Sequence, residues 1–251
     1  MKPAYYDRYD YRAFWEGRDY EWQSDKTALE SLIGLINNSK DRLIDVGCGF
    51  GRNVPSYVQK WKNAVLLDPS DKLLSQAKVE NKKHSNLHYV RGFAEKLPFD
   101  NSSFDTVLCI RVFHHLLHPE QVIREYYRVL KPGGHLILEI ANKRHAKAII
   151  TALLTGNVHK ILDDSFCDRR SNLNKNKGSI TFVNHHPEHI TKILKDNHLL
   201  VERTLSASNL RGLPFLDAIP LHIVIEIEKR LQYFLGKFWF GPSIYFLAKK
   251  T

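Results

Sequence analysis

Short apolar runs alternate with helical patterns through the first 140 residues. Leu43-Ile44-Asp45-Val46 reads as a buried strand. Residues 64–67, 87–91, 104–110 and 135–140 read the same way. Between them lie helix start and stop signals. A helix is expected over 53–60. Pro69-Ser70-Asp71 opens another, to about 83. Pro119 starts a third that ends near Leu130, stopped by Lys131-Pro132-Gly133-Gly134. Ahead of the first strand, Ser24-Asp25 is placed to cap a helix over 26–37, with Leu29, Leu32, Ile33 and Ile36 on one face. Strands alternating with helices predict an α/β fold, a parallel sheet covered on both faces.

The second half is less regular. Residues 146–154 look helical, but 163–178 are polar and carry Arg169, Arg170, Lys175 and Lys177. A long irregular stretch after the fifth strand falls on the carboxyl side of the sheet, where ligands bind, and reads as a substrate cover. A helix over 187–197 and strands over 199–206 and 243–248 complete the pattern. Between those strands, 210–241 is strongly apolar, with Ile223, Val224, Ile227, Phe234 and Phe238 interspersed with Lys229, Arg230 and Lys237. Such a segment packs on a core, roofs an apolar pocket, forms a dimer face or lies in a membrane interface. At the other end, residues 3–22 are rich in aromatic rings without a clean period.

The glycine loop is the strongest local signal. Gly47, Gly49 and Gly51 recur at every second position after the first strand. Without Cβ atoms they permit a tight turn and close approach of a ligand to the backbone. The following helix is expected to point its free N–H groups at the loop. A structural turn is the plainer reading. Against it, Asp68 ends the second strand, where an acid is placed to hold ribose hydroxyls.

Composition narrows the class. A chain of 251 residues with 43% hydrophobic and 25% charged residues fits a single globular domain. The net charge of +10 admits an acidic partner, such as nucleic acid or an anionic membrane, as well as a basic enzyme. Cys48, Cys109 and Cys167 are too few for a disulfide framework and suggest a reducing, cytoplasmic setting. Residues 1–11 lack the apolar core of a signal peptide, and no apolar run is long enough to span a bilayer.

The glycine loop with Asp45, Asp68 after the second strand, Ala94-Glu95-Lys96-Leu97-Pro98-Phe99 and Val129-Leu130-Lys131-Pro132-Gly133-Gly134 resemble the class I S-adenosylmethionine-dependent methyltransferases. The branch most resembled includes the ubiquinone/menaquinone methyltransferases. The resemblance covers about 40–142. It implies one Rossmann-like domain with a seven-stranded, mostly parallel sheet, helices on both faces and an antiparallel last strand. Insertions would follow strand five and separate strands six and seven. On that plan 1–39 is an N-terminal lid and helix, 40–142 the cofactor-binding core, 143–185 an insertion, and 186–251 a C-terminal part containing 210–241.

The implied cofactor is S-adenosyl-L-methionine. Gly47, Cys48, Gly49 and Gly51 would lie beside its methionine half, with Asp45 taking the ammonium. Asp68 and Pro69 would meet the ribose. The family commonly has an acid where Phe93 stands, so the adenine is expected on the Ala94 N–H and apolar contacts. Glu95 and Ile110 complete the set. Arg18 and Tyr20 of the lid would reach the methionine carboxylate or the substrate.

Methyl transfer from a sulfonium is an in-line displacement, so the protein mainly holds and aligns the reactants. A base matters only if the acceptor must lose a proton. His114 or His115 resembles the family's histidine at this turn, either as that base or as a residue that positions the loop. His185 and His189 are spaced for a metal on a helix, but Pro187 interrupts it and no zinc partners stand nearby; no metal is expected. Cys48 lacks a neighbouring base. The signature of exocyclic-amine methylation of nucleic acid is absent. The expectation is a methyltransferase acting on a small, apolar or lipid-like acceptor, with nucleic acid not expected as partner. An RNA methyltransferase using the basic surface, or a protein that binds the cofactor without catalysis, are the alternatives. Peripheral membrane contact through 210–241 and the oligomeric state stay open.

Overall fold

In a computed structural model, which describes residues 5–7, 9–37, 39–176, 179–214 and 216–251, seven strands form one sheet. Lys177 lies outside the described residues. Strands β1 (Arg42–Val46), β2 (Asn63–Asp68), β3 (Leu87–Arg91), β4 (Phe104–Cys109) and β5 (Leu130–Ala141) pair in parallel, in the order β3-β2-β1-β4-β5. Beyond β5, β6 (Leu199–Ala207) forms the edge, and the last strand, β7 (Ser243–Lys250), inserts between the two and runs against both. This is the seven-stranded sheet with an antiparallel last strand expected from the sequence.

Alternate residues of β1 feed two cores, as the pleat requires. Ile44 and Val46 join the layer that contains α4 (Pro119–Val129) and α6 (Pro187–Asp196). Leu43 joins the opposite layer, beneath α1 (Asp19–Leu35) and α3 (Asp71–Glu80). Ser70 caps α3 by accepting from the Leu73 N–H at 3.2 Å. α7 (Leu221–Gly236) packs on α1 and β6. The helix α5 (Ala146–Leu154) opens the stretch after β5. That stretch contains a two-residue ladder between 167–168 and 183–184.

Three local expectations change. Ser24 and Asp25 do not cap α1; they lie inside it and are buried. Asp25 is held by Arg111 at 2.9 and 3.0 Å, by the Tyr245 hydroxyl at 2.8 Å and by Arg52 at 3.3 Å. Ser24 donates to Glu228 at 2.9 Å. Residue types that cap helices also serve as buried partners, and here tertiary bonds decided. The helix expected after the glycine loop is the single turn α2 (Val54–Tyr57), too short for a substantial dipole at the loop. The fifth strand begins at Leu130, because Leu130 already pairs with Phe104 before the register shifts across 131–134.

Candidate active site

The sheet order reverses between β1 and β4, which opens a crevice at the carboxyl ends of the strands. The glycine loop floors it. Gly47 and Gly49 both adopt left-handed backbone, at φ +72° and +56°. The N–H groups of Gly47 and Cys48 both donate to the Leu67 carbonyl, at 2.7 and 3.1 Å, which fastens the loop to the end of β2. A Cβ on Gly47 would stand 2.1 Å from Val112 Cγ2, and one on Gly49 would meet the Tyr11 ring at 3.3 Å. Val112 and Tyr11 thus pack directly against the two glycines, and all four residues border the crevice.

Asp68 faces the same space. Its Oδ2 accepts from the Gly49 N–H and its Oδ1 from the Ser70 N–H, both at 2.9 Å. Burial pushes its carboxyl up to about 6 against those two donors. Each oxygen keeps a further lone pair for a ligand hydroxyl. Gly47, Gly49, Asp68, Pro69, Phe93, Ala94 and Glu95 all border one cavity of about 160 Å³.

The remaining expected cofactor residues lie elsewhere. Asp45 is 1% exposed, behind the loop. Its Oδ2 accepts from the Tyr57 hydroxyl at 3.0 Å, and its Oδ1 has no partner among the described residues. Burial lifts its carboxyl to about 7. Gly51 is turned toward Asn81, whose Nδ2 would be 2.7 Å from a Cβ there. Cys48 and Ile110 are buried in the layer beneath α1. Burial raises the Cys48 thiol well above its usual range, so it stays protonated. Tyr20 is bound away from the cavity: its hydroxyl donates to Glu228 at 2.7 Å and accepts from the Leu210 N–H at 2.9 Å.

A second cavity, of about 370 Å³, adjoins the first; Tyr6, Tyr11, Arg111, His115 and Ile180 border both. Arg18 and His114 border the second only. The His115 Nδ1–H donates to the Thr181 carbonyl at 2.6 Å, which fixes the tautomer and leaves Nε2 to accept from the Tyr6 hydroxyl. Burial holds His115 down at about 4, so it is neutral near pH 7, and drives His114 well below its ordinary value. His185 donates to the Phe113 carbonyl at 3.2 Å. No group of His, Cys, Asp and Glu among the described residues is arranged to hold a metal ion.

Sequence reasoning did not single out Arg111, Val112, Ile180 or Phe182. Arg111 left one trace, since it directly follows an expected strand. It takes φ +61°, its N–H donates to buried Glu139 at 3.0 Å, and its guanidinium grips Asp25 in α1. The wall of both cavities is thereby tied to the helix beside the N-terminal segment.

Residues 44–138 match the methyltransferase domain family. A phthiotriol/phenolphthiotriol dimycocerosates methyltransferase of Mycobacterium leprae is 39% identical over 103 residues, 40% of this chain and 38% of that protein. A demethylmenaquinone methyltransferase of Chlamydia trachomatis is 36% identical over 118 residues, 45% of this chain and 48% of that protein. The chain thus spans about half the length, or less, of these curated relatives. A solved S-adenosylmethionine-dependent methyltransferase from Thermotoga maritima shares the fold, with a TM-score of 0.59 at 18% identity over 98% of both chains. Sheet order and glycine loop agree with that match: residues 44–138 resemble a methyltransferase domain, on a fold shared with solved S-adenosylmethionine-dependent methyltransferases.

Proposed function

We propose that this chain transfers a methyl group from S-adenosylmethionine to a small, apolar or lipid-like acceptor. One observation carries the reading: the left-handed glycines Gly47 and Gly49 and the Asp68 carboxylate border one cavity, and a second cavity opens beside it. The residues fit the cofactor. Asp68 has lone pairs for ribose hydroxyls. Phe93 and Ala94 offer an apolar bed for adenine. The unpartnered Oδ1 of Asp45, buried behind the loop, would serve a cationic ammonium through water rather than directly. When bound, the cofactor supplies a methyl on a sulfonium whose leaving group is a neutral thioether.

The chain's own contribution is alignment and exclusion of water. Tyr6 and Tyr11 close the N-terminal segment against the cavity. His115, its Nδ1–H held by Thr181, presents a neutral Nε2 at the boundary of the two cavities. There it orients the acceptor, or takes a proton if the acceptor has one to lose. His114 serves as wall rather than base. Arg18 belongs to the acceptor side.

A lipid-like acceptor is supported by the relatives named for phthiotriol dimycocerosates and for demethylmenaquinone. The surface agrees. α7 exposes Ile223, Ile227 and Phe234, with Phe238 just beyond it, and α5 exposes Ile150, Leu153 and Leu154. Lys229, Arg230 and Lys237 accompany the first set. No helix among the described residues is long and apolar enough to cross a membrane. Peripheral contact with an anionic bilayer from a reducing, cytoplasmic side fits these features.

The test has two arms. S-adenosylhomocysteine should bind the chain in a calorimeter, and label from methyl-deuterated S-adenosylmethionine should enter the lipid fraction of an extract. Failure of the homocysteine to bind overturns the reading. Anionic vesicles, but not zwitterionic ones, should retain the protein, and Lys229→Glu with Arg230→Glu should release it.

A further inference from the structure

The second cavity carries charge as well as rings. Phe14, Tyr9 and Phe182 give it flat apolar walls. At its edge Arg18, from the turn before α1, and Arg211, from the loop after β6, converge on one acid. Arg211 Nε lies 3.1 Å from Glu21 Oε1, and Arg18 Nη1 lies 3.7 Å from the same oxygen. One carboxylate between two guanidiniums leaves a positive charge uncompensated.

The pair is not needed to join the two segments. Tyr20 already bridges them, by accepting from the Leu210 N–H and donating to Glu228. Nor are the arginines sunk into the core; their side chains are 36% and 49% exposed. Arg111, on the opposite wall, behaves as a structural arginine does: both of its contacting nitrogens are spent on buried Asp25. Arg18 instead lies over the Phe14 ring, 4.4 Å from its centre, which sets its fork beside an aromatic surface. Arg211 meets Glu21 through Nε, and its side chain is about half exposed at the cavity it borders.

We infer that Arg18 and Arg211 form an anion subsite, and that the acceptor joins a flat apolar body to a carboxylate or phosphate. This rests on the reading of the second cavity as the acceptor site. A guanidinium fork pairs two oxygens of either anion at once, which fixes orientation as well as affinity. The anion would anchor one end of the acceptor at the cavity edge, and the rings would carry its body toward the wall shared with the cofactor cavity.

Three probes of one shape test it: 2-naphthoate, 2-naphthyl phosphate and neutral 2-naphthamide. Each is titrated by calorimetry into the protein saturated with S-adenosylhomocysteine. At least one anion should bind about tenfold or more tightly than the amide, and which one does so tells carboxylate from phosphate. Arg211→Gln and Arg18→Gln should each shrink that preference to about threefold or less, with homocysteine affinity within twofold of wild type. An amide that binds as well as both anions overturns the subsite, as does absence of anion binding at millimolar concentration or a preference that survives both substitutions. If the homocysteine binds and the preference is missing, only the subsite falls. If the homocysteine fails to bind, the cofactor reading falls first and takes the subsite with it.

Discussion

The two neighbouring cavities are made differently. Most residues that border the first follow strand ends, at 46–49 without Cys48, 67–69, 93–95 and 111–112, with Tyr6, Tyr11, Leu73, His115, Leu116 and Ile180 completing it. Its loop is shaped by left-handed glycines and fastened to one carboxylate. The second is bordered by side chains from far-apart segments, among them Phe14, Arg18, His114, Phe182 and Arg211. A site that binds through main chain needs conformations that few residue types adopt, so it marks the sequence. A site assembled from side chains leaves no such mark, because rings and arginines are common anywhere on a surface.

Asp45 puts the first region to the hardest test. Burial lifts its carboxyl from 3.8 to about 7, with the Tyr57 hydroxyl and Arg52 opposing. Below about pH 4 the group is protonated folded and unfolded alike, and it costs nothing. As pH rises toward 7 the unfolded chain ionises while the folded one resists, so stability falls, then levels off. The full cost is on the order of 4 kcal/mol. Asp45→Asn removes that slope. Denaturant melts of the ligand-free protein at pH 4.5 and pH 8 should show the variant gaining roughly 3 kcal/mol on wild type between them. Parallel curves would mean that the charge is already compensated. The same substitution should weaken cofactor binding, because it removes the anion that the ammonium would meet.

Asp68→Ala comes next. It strips the acceptor from the Gly49 and Ser70 N–H groups, at about 1–3 kcal/mol for each donor left buried and unpaired. It also removes the ribose acceptor. Affinity for S-adenosylhomocysteine should fall at least about a hundredfold, near 2.7 kcal/mol, with circular dichroism unchanged. Binding within a few fold of wild type would break the assignment. Gly47→Ala should cost about 2 kcal/mol in thermal melts, from the contact with Val112 and the positive φ. Adding Val112→Ala should return the steric part and leave about 1 kcal/mol of backbone strain. A fully restored melt would show that the backbone there is at ease.

This pattern explains what was legible beforehand. The sheet follows from apolar runs between turn signals, and only the position of its last strand, between β5 and β6, needed the structure. Gly47, Gly49 and Asp68 could be placed together at the crevice because each answers a local geometric demand. Ser24 and Asp25 misled because a capping residue and a buried hydrogen-bonding residue have the same composition. The aromatic N-terminal segment could be read as a cover, but not which rings face inward. Tyr6 and Tyr11 do so because two short 3-10 turns, Tyr5–Asp7 and Ala13–Trp15, break any period. Tyr20 already belongs to α1 and is claimed by Glu228. Ile180, Phe182 and Arg211 sit in loops that no periodicity marks.

The smallest effect is expected where the two regions touch. The Tyr6 hydroxyl donates to His115 Nε2, and Asp7 next to it accepts from Ser70 Oγ at 2.6 Å, so both residues help to close the N-terminal turn. Tyr6→Phe removes the first of these bonds, worth about 1 kcal/mol, and should raise transient opening of residues 5–16 by about fivefold in amide hydrogen exchange. The wild-type bond should also fail in acid. Burial lowers the folded His115 from 6.5 to about 4, so the folded state is penalised as pH falls below about 6.5, because the unfolded chain takes the proton first. Near pH 4 the imidazole protonates in place, and an Nε2 that carries hydrogen no longer accepts from Tyr6. Opening in wild type should rise there toward the level of Tyr6→Phe, whose own opening should change less over that interval. If both proteins follow the same curve, the Tyr6–His115 bond does not govern closure, and the rings, Asp7 and the Arg12–Glu80 ion pair hold the segment.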